Sequence, residues 1–406
     1  MKTSLKAATS VMLQEDRFVC VNCFEDSGLA NFISEKAVAT SCSFCPSQAQ
    51  DPIAAPMDDV SAYFLKCLYQ EYDLAVKLLG WISSGEGWYG TSWSSEELVT
   101  DVIGLEFPQH NQDQLLPFLL DADFDQDWCE ENAYGLNAQD MVKYSWDHFC
   151  RVIMHRRRFF FLGRVPGTRD SEVYSPGEML HTIFEYAQKM GLFKTIPSGA
   201  QLFRARWEGC EPTWEKAEEL GPPPMELAIQ ANRMSPAGIP MFYGCDDEVT
   251  ALKETESCPG FYAIGRFETL RSLTLLDLST IPPIPGLFDS LPGSEEISPR
   301  QTLTFLDHVA REISRPIERD NRVHIEYVPT QVVTEFVRSQ LTWNGSCVDG
   351  IKYDSSARPG HPSYVLFANQ DNVLSSPESE RSNDIWLKLT GTKHTWVNGK
   401  QMNQPI

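Results

Sequence analysis

Five side chains able to do chemistry crowd one stretch of this chain: Arg204 and Arg206, then Arg233, Tyr243 and Glu254. Guanidinium forks grip phosphate oxygens in pairs, a phenol ring covers a base or a ribose, and a carboxylate serves at a sugar. The set suits a dinucleotide, provided that these groups, distant along the polymer, meet around one hollow of cofactor size. Thr250 stands four residues before Glu254, which on a helix puts both on one face. Each residue also has a plain alternative. In a strand Arg204 and Arg206 share one face, either the pocket side or the solvent side. A lone Glu254 is by default a helix-surface carboxylate, and a lone Tyr243 a core ring with its hydroxyl satisfied.

A second constellation lies near the start. Cys20-Val21-Asn22-Cys23 and Cys42-Ser43-Phe44-Cys45 are separated by 18 residues. Two such knuckles match a tetrahedral four-thiolate zinc site, and with every position filled by protein the metal is structural. Zinc binding supplies the folding free energy that a short segment poor in apolar side chains lacks. The other cysteines, from Cys67 to Cys347, are scattered and read as ordinary buried thiols.

Composition narrows the partners. A chain of 406 residues exceeds one ordinary core and should hold two or three domains, and 42% apolar content with 22 Phe fits globular ones. A net charge of -22 argues against nucleic acid and anionic membrane surfaces, so an anionic small substrate needs a locally basic pocket. No apolar run reaches membrane-spanning length, and the polar opening residues lack a secretory core. Eleven cysteines, an odd number, do not have the spacing of a secreted disulfide scaffold. These features predict a cytoplasmic, reduced protein.

The elements that must position these groups follow from periodicity. Residues 1–56 form a zinc ribbon and linker. Residues 57–195 read as an all-helical domain, with helices over 57–79, 94–104, 111–121, 138–157 and 176–191. Ser175 fits the N-cap of the last, with Pro176 at its first position and Glu178 at its third. Gly85-Glu86-Gly87-Trp88-Tyr89-Gly90 satisfies GxGxxG but follows a helix, so the dinucleotide fingerprint fails on context. His155-Arg156-Arg157-Arg158 reads as a helix end feeding Phe159-Phe160-Phe161, not as a grip on nucleic acid. From 196 to 372 short strands are expected at 201–207, 239–244, 261–268, 272–278, 323–328, 348–353 and 363–368. Helices near 247–257, 300–311 and 329–340 make this an α+β domain. Asp349, Tyr353, His308 and His324 read as turn, packing or satisfied structural residues. The end, 373–406, reads as a polar linker to about Asn383 and then a hairpin about Asn398-Gly399.

With these residues in view, the chain resembles the RES-domain family, named for its Arg, Glu and Ser. The resemblance covers 196–372. It rests on Phe203-Arg204-Ala205-Arg206, on Arg233 with the Pro236-Ala237-Gly238 turn, on Phe242-Tyr243, and on Thr250-Ala251-Leu252-Lys253-Glu254. It ends with Asp349-Gly350-Ile351-Lys352-Tyr353-Asp354-Ser355-Ser356. The double knuckle and helical region resemble the HEPN/RES-like extension of long members. Asn232 and Met234 flank the arginine where many short members carry Gly-Arg-Phe or Gly-Arg-Trp. Ser355 and Ser356 compete for the family serine; a strand would point them to opposite faces, and Ser355 is favoured. The ribonuclease signature of HEPN domains sets its Arg and His farther apart than Arg151 and His155, so that activity is not carried over.

The resemblance implies an ADP-ribosyltransferase-like domain that consumes NAD, beside a structural Zn2+. Arg233, Tyr243, Glu254 and Ser355 are the implied catalytic residues, and Arg204, Arg206, Thr250 and Ser356 the implied substrate contacts. Inorganic phosphate is the implied co-substrate of phosphorolysis, with water the alternative acceptor. Short relatives are neutralised by an antitoxin, which implies an inhibitor or a trigger protein for a toxin or anti-phage effector. Two rival readings stand beside this one: an ADP-ribosyltransferase acting on a macromolecule, and an inert sensor or binding module. Assembly, including a homo-oligomer, is left open.

Overall fold

The computed structural model describes residues 17–82, 87–135, 138–161, 174–289, 299–315, 322–374 and 384–398. The chain is mixed α+β and divides into two compact units, Met1–Asn137 with Ile284–Arg300, and Ala138–Pro283 with Gln301–Ile406. The division differs from the boundaries read from sequence. Helices 138–155 and 176–189 belong to the second unit because Trp146, Phe149, Met179 and Ile183 bury with Phe305, Val309 and Val337.

The first unit is largely helical. The strand Phe18–Cys20 pairs antiparallel with Ala54–Pro56, and helix Ser27–Lys36 starts at Asp26, whose carboxylate accepts from the Leu29 N–H at 2.8 Å. Helix Met57–Leu68 buries Val60, Phe64 and Leu68 together with Leu115 and Leu119 of helix Gln112–Leu120. The expected helix over 57–79 stops at Leu68. Its apolar period continues, but Tyr72–Leu74 runs as a strand beside Asp127–Glu130, with Trp93–Ser94 on the other side of that strand. The fully buried Trp128 anchors this small sheet, which an all-helical reading leaves out; its indole N–H donates to Ser95 Oγ at 2.9 Å.

The second unit is built on nine strands: β1 (Phe193–Ile196), β2 (Gln201–Gly209), β3 (Phe242–Cys245), β4 (Gly260–Thr269), β5 (Leu273–Asp277), β6 (Gly350–Asp354), β7 (Pro362–Leu366), β8 (Val373–Leu374) and β9 (Leu387–Val397). Their order is β8-β9-β4-β2-β3-β7-β6-β5-β1, parallel at β8/β9 and β5/β6 and antiparallel elsewhere. One face carries Leu202, Phe242, Phe267, Tyr364 and Leu366 into one core. The other turns Ile351, Val365 and Leu276 toward α1 (Ala138–His155), α2 (Pro176–Lys189), α4 (Pro299–Ser314) and α5 (Val328–Gln340). The short helix α3 (Glu248–Thr255) lays Ala251 against Ala205, Cys245 and Ile264. At Gly350 any side chain is excluded, since a Cβ would stand 2.3 Å from the Val365 carbonyl oxygen.

Two local expectations change. Residues 323–326 form a helical turn, not a strand: Val328 opens α5 with Pro329 in its first turn, and Ile325 N–H donates to the Arg322 carbonyl at 2.8 Å. Helix start chemistry outweighs the β-branched composition there. Residues 387–397 are a strand of the main sheet, paired along β4, whereas the expected hairpin residue Gly399 and the linker 375–383 lie outside the described residues. Gly85 and Glu86 of the glycine motif lie outside them too. No helix among the described residues is long and apolar enough to cross a membrane.

Candidate functional site

Glu254 stands in the last turn of α3, and the first turn of that helix fixes where it points. Asp247 is the N-cap, accepting from the Thr250 N–H at 2.9 Å and the Thr250 hydroxyl at 2.7 Å. Burial works against the Asp247 charge, yet these bonds and the Arg358 guanidinium hold its carboxyl below the usual range. At the far end, Glu254 Oε1 accepts from the Ser355 hydroxyl and, at 3.3 Å, from the Ser363 hydroxyl.

Strand register gathers the rest. Tyr353 pairs with Ser363 and Ser363 with Cys245, so the three form a row on one face across β6, β7 and β3. Tyr243, two residues before Cys245, shares that face. Its hydroxyl meets Ser235 Oγ at 2.9 Å and takes a bond from the Met234 N–H. Burial pushes the Tyr243 phenol up to about 12, against those bonds and the nearby Arg204 cation. The Tyr353 phenol is held above its ordinary range by burial first, then by Glu254 and Tyr243, while Arg233 pulls the other way. Glu254, Tyr243 and Arg233 thus all act on Tyr353.

Arg204 approaches the Tyr243 backbone from the opposite face of the sheet. The ladder between β2 and β3 consists of Phe203↔Cys245, after which the strands part. Arg204 Nη1 bridges that opening to the Tyr243 carbonyl at 3.3 Å, with its guanidinium 5.5 Å from the Phe242 ring centroid. Its Nε is sealed from solvent with no hydrogen-bond partner. Burial, and then the like charge of Arg206, bring its pKa down to about 9.

The other predicted residues fall differently. Arg206 turns aside, donating to the Glu219 carbonyl at 2.6 Å and lying 5.3 Å from the Trp214 ring centroid. Arg233 donates to the Ile313 carbonyl at 2.9 Å. None of these three arginines is ion-paired to a carboxylate among the described residues. Thr250 is fully buried and committed to the helix cap, so its hydroxyl is not available to a substrate. Ser355 meets Glu254; Ser356 makes no hydrogen bond among the described residues. A cavity of about 150 Å³ lies in the first unit, lined by Glu25, Asp26, Glu71, Tyr72 and Arg300 among others, and none of the predicted catalytic residues borders it. His308, read as a satisfied residue, has its Nε2 buried without a partner.

Sequence reasoning missed Ser363, Ser235 and the central position of Tyr353. A signal existed for Tyr353, which lies two residues before Ser355. Ser363 depends on the β3/β7 register, which no local pattern reveals.

In the first unit the sulfurs of Cys20, Cys23, Cys42 and Cys45 lie within 4.8 Å of one another, with Cys20–Cys45 at 3.4 Å and Cys23–Cys42 at 3.7 Å. A tetrahedral centre with metal–sulfur bonds of about 2.3 Å sets sulfurs about 3.8 Å apart, so the set fits a metal ion. The Phe44 N–H donates to Cys42 Sγ at 3.3 Å and the Asn111 amide to Cys23 Sγ at 3.5 Å, the kind of bonds that support metal-bound thiolates.

Comparison with known families agrees with both halves. Residues 35–166 match the HEPN/RES N-terminal domain 1, and residues 201–389 match the RES domain. The chain is a long-form member of the RES-domain family, a family associated with NAD-related toxin and defence activity. Neither a curated protein nor a solved structure matches it.

Proposed function

We propose that this protein degrades NAD by cleaving the nicotinamide–ribose bond. The observation that carries the reading is Arg204, a half-buried cation with an unpartnered Nε and no counter-carboxylate among the described residues, in a chain of net charge -22. Such a charge is costly unless an anion completes it, and a pyrophosphate is an anion of the right shape. Arg233, also without a carboxylate partner among the described residues, is the second phosphate contact; Arg206, turned toward Glu219 and Trp214, is at most an outer one.

The chemistry follows from charge. As the bond from ribose C1″ to the nicotinamide nitrogen breaks, its electron pair leaves with nicotinamide, which becomes neutral, and positive charge grows on the sugar. Glu254, oriented by two serine hydroxyls, stabilises that charge and holds the ribose hydroxyls. Tyr243 covers the nicotinamide or the ribose. Attack of an inorganic phosphate oxygen on C1″ gives ADP-ribose 1″-phosphate, and attack of water gives ADP-ribose and a proton. The fold is then of ADP-ribosyltransferase type, the four cysteines hold a structural zinc ion, and the setting is a cytoplasmic toxin or anti-phage effector under a protein inhibitor or trigger.

Incubating the full chain with NAD, with and without inorganic phosphate, tests this. Free nicotinamide with a soluble ADP-ribose product supports it. Label retained on a macromolecule would favour the transferase reading, and intact NAD would overturn the proposal.

A further inference from the structure

We propose that Arg358 is a positioning residue for Glu254, acting through the loop that joins β6 to β7; this rests on the reading of Glu254 given above. The loop touches both ends of α3. At the helix start Arg358 Nη1 donates to Asp247 Oδ1 at 2.9 Å and to Thr250 Oγ1 at 3.1 Å, so a single guanidinium nitrogen grips the N-cap residue and the residue it caps. At the helix end the Ser355 hydroxyl donates to Glu254. The two grips are joined within the loop itself. The Arg358 backbone N–H donates to Ser355 Oγ at 3.1 Å, the Ser355 N–H to the His361 carbonyl at 3.0 Å, and the Gly360 N–H to Asp354 Oδ1 at 2.8 Å.

The consequence is geometric. A helix of eight residues, Glu248–Thr255, held at one end only can tilt about that end. Held at both ends by one short loop, it moves only if the loop moves with it. Glu254 then keeps its place relative to Ser363 and Tyr353, which lie on the strands flanking that loop. Arg358 needs no contact with substrate to do this. An offset of about 1 Å in a positioned group can cost on the order of 100-fold in rate.

The test uses the full chain and measures nicotinamide release from NAD in the presence of inorganic phosphate. Arg358→Ala is expected to lower kcat about 10- to 100-fold with KM changed by less than about threefold, because ground-state contacts are intact. Arg358→Lys should recover part of the loss, keeping the charge but not the reach to both partners. The Arg358→Ala, Ser355→Ala double variant should lose little more than Ser355→Ala alone, since both changes release one constraint. The side chain is 32% exposed, so shortening it leaves no buried void; if Arg358→Ala still fails to fold, Arg358→Lys and Arg358→Gln are read by the same split. An unchanged kcat in Arg358→Ala, or losses that multiply in the double variant, overturns the inference while wild-type turnover keeps the NAD reading. A wild-type chain that leaves NAD intact overturns both.

Discussion

Cys20 and Cys23 flank one tight turn, Cys42 and Cys45 another, and the strand pair Phe18–Cys20 with Ala54–Pro56 closes the segment that holds both. Glu254, Tyr243, Tyr353, Arg204 and Arg233 come from a helix, three strands and a loop, and depend on a nine-stranded sheet for their placement. In the first region four sulfurs gather within one short segment, and a cation bound among them as thiolates would tie that local fold together. In the second the apolar cores make the fold, and the site leaves one guanidinium nitrogen, Arg204 Nε, buried without a partner. Loss of the first should therefore cost structure, and loss of the second should cost activity.

The largest expected break is at the cysteines. Cys42→Ser should lower the metal content of the purified protein and expose residues 17–135 to protease, since a structural zinc of the proposed kind contributes on the order of 10 kcal/mol to folding. Metal analysis with limited proteolysis checks this; a variant that keeps its metal and its resistance would erase the contrast. Next comes Glu254→Gln, expected to lower kcat about 100- to 1000-fold with unfolding temperature nearly unchanged. Full activity in that variant removes Glu254 from the mechanism.

Arg204→Met sharpens the comparison most directly. It should raise KM for NAD at least about tenfold while leaving the unfolding temperature nearly unchanged, because a guanidinium with a buried, unpartnered Nε gives way to apolar volume. A strongly destabilised variant with normal KM would make Arg204 a structural residue. The smallest effect is at Asp247. A carboxyl held below its ordinary pKa contributes stability above the unfolded value near 3.9 and loses it as pH falls. Asp247→Asn should then unfold slightly sooner at pH 7, by about 0.5 kcal/mol after solvent screening, with the gap closing below about pH 4. A gap independent of pH would show that the charge plays no part.

Sequence and structure agree where the physics is local. Ser175, Pro176 and Glu178 announce the start of α2, and its capping box is formed. Alternation in Leu202-Phe203-Arg204-Ala205-Arg206 marks β2, and the paired CxxC motifs need no distant partner to be recognised. Agreement fails where a distant strand decides. Tyr72, Ala75 and Leu78 continue a helical period, yet Tyr72–Leu74 pairs as a strand with the segment of Trp128, a residue far along the chain. Arg204 and Arg206 share a strand face as expected, but only the parting of β2 from β3 lets the first reach Tyr243 while the second turns away. Thr250 is four residues from Glu254 and still faces the cap, because Asp247 claims its hydroxyl.

One connection bears on how the molecule is made. The ten-residue strand β4 pairs along its outer edge with β9, which is synthesised more than a hundred positions later. A nascent polypeptide that has cleared Thr269 but not Leu387 presents that edge bare, an invitation to misassociate on the ribosome. The candidate site shares that delay, because Glu254 meets the Ser355 and Ser363 hydroxyls only after about a hundred further residues have been added.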